Sequence, residues 1–327
     1  MISATIRPAA LQGAAGRCTA GASIGKGARC NMHAQNSQRL AAIVELVAVA
    51  MWGATGIFLK FLVAGGLTSQ QIAVLKLAVG LAFSAALVLV RREDVRMPPR
   101  DLAWCAAAGL LGVLGFSLLY CQAVIEVGMG TATVLMYLMP SLVMAYECIR
   151  GRERFALARG MVLALSLVAC GLVSGLLTDG FVASPAGIAM GVGSAVLYAV
   201  YNIVLAGPLA KYDASITLFW LYAFSAPAGC LLLLATGSLV PAVTVLLSSA
   251  DMLAVGIAAG FVCNGLSYYM YGWALGHMPA SRAAILATFE PVSAVIFGVL
   301  LFAEPMTLPK VVGVICELVA LLLVNRA

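Results

Sequence analysis

From residue 40 onward the chain alternates between long apolar runs and short polar breaks. The runs cover approximately 40–62, 69–90, 102–123, 130–149, 158–177, 186–207, 215–236, 252–275, 283–303 and 309–325. Each is close to the ~20 residues an α-helix needs to cross the hydrocarbon core. They are continuous rather than alternating, which argues against a transmembrane β-barrel. The pattern predicts an all-α integral membrane protein with ten transmembrane helices. The connections are short and leave no extramembrane domain that could house a separate activity.

Composition supports this reading. Of 327 residues 63% are hydrophobic and 10% charged, and mean hydropathy is +1.05. Soluble domains run at about 45–50% apolar and about 25% charged, so a soluble enzyme, a disordered regulator and a secreted disulfide scaffold are excluded. Nine cysteines show no C-x-x-C spacing, and His33 and His277 are the only histidines. Neither a metal site nor a cofactor is expected.

The net charge of +6 raises the question of nucleic acid, but the basic residues punctuate apolar runs instead of forming a stripe. With the N-terminus inside, cytoplasmic segments hold Arg7, Arg17, Lys26, Arg29 and Arg39, then Arg91, Arg92, Arg96 and Arg100. They also hold Arg150, Arg152, Arg154, Arg159, Lys211, Arg282 and Arg326, whereas the external loops hold only Lys310. The positive-inside rule therefore predicts that both termini are cytoplasmic. Residues 1–39 are polar and acid-free, without the apolar core of a signal peptide. They resemble a transit peptide in composition but are read as a disordered cytoplasmic tail, with Met32 as an alternative start.

An internal repeat emerges when the chain is shifted by 151 residues. Gly109 then meets Gly260, Tyr120 meets Tyr271, Ala123 meets Ala274, Ala132 meets Ala283 and Leu135 meets Leu286. Pro140 likewise meets Pro291, and Glu153 meets Glu304. The shared spacing from Pro to Glu carries the argument, because both residues are uncommon here. Five spans per half require the halves to insert in opposite orientations, an architecture recurrent in secondary transporters. The expected division is 1–39 for the tail, 40–178 for the first repeat and 183–326 for the second.

At these residues the sequence resembles the drug/metabolite transporter superfamily, specifically permeases with two EamA repeats. The matching features are Trp52-Gly53, a basic residue at Lys76, Tyr120 with Ala123, the run from Ala132 through Pro140 to Glu153, and the run from Ala283 through Glu290-Pro291 to Glu304. Where the family usually has Arg, this chain has Lys76, and Met139-Pro140 stands opposite Glu290-Pro291. The resemblance implies transport of small metabolites across the cytoplasmic membrane, often export of amino acids or related compounds.

Charges deep in a bilayer are costly and default to functional candidates. Lys76, Glu290 and Glu317 fall near the middle of expected spans. Glu290 reads either as a protonatable coupling site or amine ligand, or as a packing partner of Lys76. Glu317 is a second proton-coupling candidate. Glu45 and Glu147 lie nearer cytoplasmic ends and are read as interfacial, and Lys60 can snorkel outward. Helical spacing places Asn264, Tyr268 and Tyr271 on one face, and Tyr198, Tyr201 and Asn202 on another. Both faces are expected to point inward, with Tyr120 and Trp52 beside them, though packing suits Trp52 equally. Pro140, Glu153, Pro291 and Glu304 are read as structural or gating positions. Gly171 with Gly175, and Gly187 with Gly191, permit close helix approach.

The expected function is alternating-access transport of a small polar or amphipathic metabolite, with an amino acid first and protons as a candidate coupling ion. Partners are the lipid bilayer and the cargo, with no nucleic acid. A sugar-phosphate, nucleotide-sugar or organic-anion carrier is the alternative within transport. A multi-pass membrane enzyme is the alternative outside it, with no G-x-S-x-G elbow, H-E-x-x-H motif or paired aspartates within the spans. No Walker A motif indicates ATP drive.

Overall fold

The computed structural model describes residues 24–151, 157–173, 184–302 and 306–324. Glu153, Gly175 and Glu304 lie outside the described residues. Among the described residues every regular element is helical. In chain order these are α1 (Ile24–Gly53), α2 (Thr55–Ala64), α3 (Ser69–Arg91), α4 (Pro99–Ala107), a π-helical stretch (Ala108–Gly115), α5 (Phe116–Met136), α6 (Met139–Ile149), α7 (Leu157–Val173) and α8 (Pro185–Leu209). There follow α9 (Ala214–Ala235), α10 (Leu239–Leu246), α11 (Ala250–Gly260), a second π-helical stretch (Phe261–Leu266), α12 (Ser267–Leu275), α13 (Ala280–Leu286), a 3-10 turn (Ala287–Phe289), α14 (Glu290–Phe302) and α15 (Leu308–Val324).

Among the described residues eight helical segments are long and apolar enough to cross a membrane, from Ser37–Ala64 to Ala280–Leu301. The other two expected runs form α7 and α15, each of 17 residues. Large apolar side chains cover the outer surface, with Ile149 at 84% exposure and Val90 at 81%. Such a surface requires a lipid environment. The chain is a multi-pass helical membrane protein.

Three local departures from the hydropathy pattern have physical causes. The connection expected at 124–129 is helical, inside α5, where no Pro interrupts the backbone. The helix of the first span begins at Ile24, within the stretch read as a tail. That span also bends at Ala54, between α1 and α2. Beside the bend, a Cβ on Gly53 would stand 2.0 Å from Ser293 Oγ and 2.8 Å from the Ala294 nitrogen. Only glycine lets α1 and α14 cross so closely.

The shift of 151 residues organises the packing as well as the sequence. It carries α7 onto α15, and these two helices pack together. It carries the first π-helical stretch onto 259–266, where the second one lies. The first π stretch packs on α8 and α9, and the second on α1 and α3. Gly109 faces the Leu221 backbone of α9, while its repeat partner Gly260 faces Val79 of α3. Similarly, α6 packs on α8 as α14 packs on α1. The contacts of one half are exchanged for those of the other.

Small residues make these approaches possible. A Cβ on Gly109 would lie 2.4 Å from the Leu221 carbonyl oxygen, and one on Gly112 would lie 2.9 Å from the Tyr201 Cα. Gly187 and Gly191 of α8 similarly admit Val127 and Leu135 of α5. Gly109→Ala is therefore expected to cost about 1–3 kcal/mol through overpacking, read as a lower Tm of the detergent-solubilised protein. Gly207→Ala, whose new Cβ meets nothing within 4 Å, should hold or raise Tm, because alanine favours the helix.

Candidate functional site

Two helix breaks meet at the centre. The first is the turn at Tyr137 and Leu138, just before Pro140, and the second is the 3-10 turn Ala287–Phe289, just before Pro291. Proline has no N–H to give the carbonyl four residues earlier, so each break loosens the backbone at that point. The breaks occupy repeat-related positions and lie against each other. The Tyr137 hydroxyl donates to Glu290 Oε2 at 2.9 Å and lies 3.5 Å from the Ala287 carbonyl oxygen. The Ser293 hydroxyl donates to the Glu290 carbonyl at 2.7 Å. Irregular backbone at membrane depth is stable only where protein or water satisfies it.

Aromatic rings extend from this carboxylate. Trp52 packs against Tyr268 at 5.0 Å and Tyr271 at 4.9 Å between ring centroids. Tyr201 lies 6.0 Å from Tyr268 and 6.1 Å from Tyr198. Phe116 continues the series, 5.0 Å from Tyr198 and 5.9 Å from Tyr120. Glu290 stands within electrostatic reach of Tyr120, Tyr137, Tyr198 and Tyr268. Lys76 of α3 is near enough to act on Glu290, but no direct ion pair joins them among the described residues.

Several of these side chains are deep yet not closed off. Glu290, Lys76, Tyr120, Phe116 and Tyr268 are half-buried, although Glu290, Tyr120 and Tyr268 are surrounded by protein. They border interior space rather than lipid. Toward one side the space closes: Asn202, Leu205, Leu221 and Leu286 are fully buried. There Tyr271 donates to Asn202 Oδ1, and Asn202 Nδ2 donates to the Tyr198 carbonyl at 2.9 Å. Two enclosed donors in the cluster, Trp52 Nε1 and Tyr201 Oη, have no hydrogen-bond partner among the described residues.

Beyond that closed side, polar contacts bind the two halves. Lys211 Nζ donates to Asp101 Oδ1 at 2.8 Å and Oδ2 at 3.0 Å, and the Tyr212 hydroxyl donates to Oδ2 at 2.9 Å. Burial and the Asp101 carboxylate hold the Tyr212 phenol above its ordinary range, so it remains a donor at neutral pH. Arg91 Nη2 donates to Tyr269 Oη at 2.9 Å, and Trp220 Nε1 donates to the Val95 carbonyl at 2.7 Å.

The structure thus brings together Trp52, Lys76, Tyr120, Tyr198, Tyr268 and Glu290, with Asn202 and Tyr271 at the closed end. Asn264 lies in the second π stretch at 5% exposure, and its carbonyl accepts from Tyr222 at 3.0 Å. Glu317 lies one layer away, enclosed between α7 and the 3-10 turn. Pro140 and Pro291 open α6 and α14. The interfacial reading of Glu45 is corrected: it is fully buried, with Arg282 and Tyr271 within electrostatic reach. Glu147 is buried as well. Sequence reasoning missed Tyr137 and Thr288. Their shared signal is a hydroxyl three residues before each repeat-related proline. Among the described residues no group of three His, Cys, Asp or Glu could hold a metal ion.

Repeat-related helix pairs around two facing breaks and a central carboxylate define a membrane carrier fold. The sequence profile of the EamA-like transporter family matches residues 39–175 and again 185–326, and the chain belongs to that family. It is 26% identical over 275 residues to an uncharacterized transporter of Archaeoglobus fulgidus, covering 83% of this chain and 93% of that one. A protein of known crystal structure shares the fold with a TM-score of 0.72 at 16% identity, over 87% of this chain and 98% of the other. The protein is a membrane transporter, and both matches to the family profile point away from an enzyme.

Tyr271→Phe removes the donor from the enclosed Asn202 Oδ1. It is expected to lower stability by about 1 kcal/mol, read as a fall in Tm. Tyr269→Phe, at the exposed Arg91 contact, should change Tm by less.

Proposed function

We propose that the protein is a ten-span secondary transporter built from two inverted five-helix repeats, working by alternating access around Glu290 and carrying a small zwitterionic metabolite, an amino acid first. The observation that carries the cargo is the pair Lys76 and Glu290, opposite charges that act on each other without a direct ion pair among the described residues. An amino acid presents an ammonium to Glu290 and a carboxylate to Lys76. Trp52, Tyr268, Tyr198 and Phe116 offer ring faces for its apolar part and its cation.

The exchange of contacts between halves supports the inverted arrangement. Two states related by that exchange would open opposite ends of one site. In the state described, the end near Lys211 and Arg282 is closed. The positive-inside rule makes that end cytoplasmic in the cell membrane, with both termini inside. Export is the direction the family resemblance implies. A sugar-phosphate or other organic anion is less well served, because Lys76 is the basic residue at mid-depth.

The test is uptake of a labelled amino-acid panel by proteoliposomes, with and without an imposed pH gradient. Accumulation of one compound that follows the gradient, lost in Glu290→Gln, is the expected result. Equilibration without accumulation would instead make the protein a facilitator and return Glu290 to packing. Normal gradient-driven accumulation in Glu290→Gln would sink proton coupling through that residue.

A further inference from the structure

Glu317 is enclosed, at 1% exposure, and its Oε1 meets two hydroxyls. Ser166 of α7 is one, at 3.4 Å, and Thr288 of the 3-10 turn is the other. Oε2 is buried and has no hydrogen-bond partner among the described residues. Thr288 Oγ1 also lies within hydrogen-bond distance of the Ile285 carbonyl oxygen. A threonine hydroxyl has one proton and cannot donate to both acceptors. Both contacts are satisfied together when Glu317 carries the second proton. Its own O–H then donates to Thr288 Oγ1, and Thr288 donates to Ile285. The proton also removes the cost of enclosing a charged oxygen without a partner.

The surroundings agree. Among the described residues on elements packed against α15, the ionisable groups are Cys170 on α7, Glu290 on α14 and Arg282 on α13, with Lys310 and Cys316 on α15 itself. Cys170 is within electrostatic reach of both Glu317 and Glu290, and neither cation bears on Glu317. The position is also telling. Thr288 is the repeat partner of Tyr137, and Ser166 that of Glu317. Each helix break therefore lends one hydroxyl to a carboxyl of the second half, Tyr137 to Glu290 and Thr288 to Glu317.

We propose that Glu317 is a proton-operated positioning residue that sets the helix break carrying Glu290. With its proton in place, Thr288 is turned onto Ile285 and the break keeps the form described here. When the proton passes to water, the Thr288 hydroxyl turns to the carboxylate, Ile285 loses its donor, and the turn before Pro291 rearranges with Glu290 displaced. The inference rests on Glu290 lining the transport site, but its test needs no cargo.

The experiment joins two readouts on the full-length protein in lipid bilayers across a pH series. Infrared spectroscopy follows the C=O stretch of protonated carboxyls, and hydrogen–deuterium exchange follows the amides of 285–293, corrected for intrinsic rates. In the wild type, one carboxyl band should vanish as pH rises, and exchange at 285–293 should step at the same pH. Glu317→Gln should lose both the band and the step, whereas Glu290→Gln should keep that band. Thr288→Val should keep a titrating band, shifted to higher frequency, and lose the step, while Thr288→Ser keeps both. Should Glu317→Gln not fold, the Thr288 pair decides. A step that survives in Glu317→Gln or Thr288→Val, or the absence of any Glu317 band, overturns the proposal. Failure of every cargo to move would count against the transport reading and leave these signals untouched.

Discussion

A backbone carbonyl without a hydrogen-bond partner is expensive in hydrocarbon, and this molecule brings two proline-broken helices together at its centre. The breaks before Pro140 and Pro291 satisfy one another's surroundings: Tyr137 of the first reaches Glu290 and approaches Ala287 of the second. Neither break would be stable facing lipid. The need to enclose them fixes which helices come inside. Spans with glycines at their contact faces approach closely, and the apolar faces of Ile149 and Val90 are left to the bilayer.

The same constraint explains why the halves are alike in path and unlike in chemistry. The 151-residue shift preserves the glycine at 109 and 260, the proline at 140 and 291, and the π-helical stretches. It does not preserve the polar side chains between the breaks. Met139 stands opposite Glu290, Tyr137 opposite Thr288, and Ser166 opposite Glu317. Glu290 and Glu317 belong to the second half, and the first half has Met139 and Ser166 at the matching positions. The frame is alike in the two halves while its interior chemistry differs, with Lys76 supplied by the first half and Glu290 by the second.

Much of the helical frame was legible in the sequence because the length of an apolar run is governed by the bilayer and not by partners. Lys76 and Glu290 stood out for the same reason, since a charge at mid-span needs a cause. The bend at Ala54, the helical stretch through 124–129 and the π turns were not legible. They depend on what faces them, as Gly53 depends on Ser293 and Gly112 on Tyr201. Tyr137 and Thr288 escaped notice because a hydroxyl in an apolar run is ordinary until its acceptor is known.

Glu45 shows the limit of reading depth from the start of an apolar run. Its run begins near residue 40, so it counts as shallow by sequence, yet the helix begins at Ile24 and the residue is fully enclosed. Tyr271 and Arg282 belong to the other half of the chain; the Arg282 charge acts on Glu45, and Glu45 in turn is within electrostatic reach of the Tyr271 phenol. Neither of its carboxylate oxygens has a hydrogen-bond partner. Depth in this protein is therefore made by closure of one half over the other. Its burial therefore comes from the second-half helices packed over it and not from its position along α1.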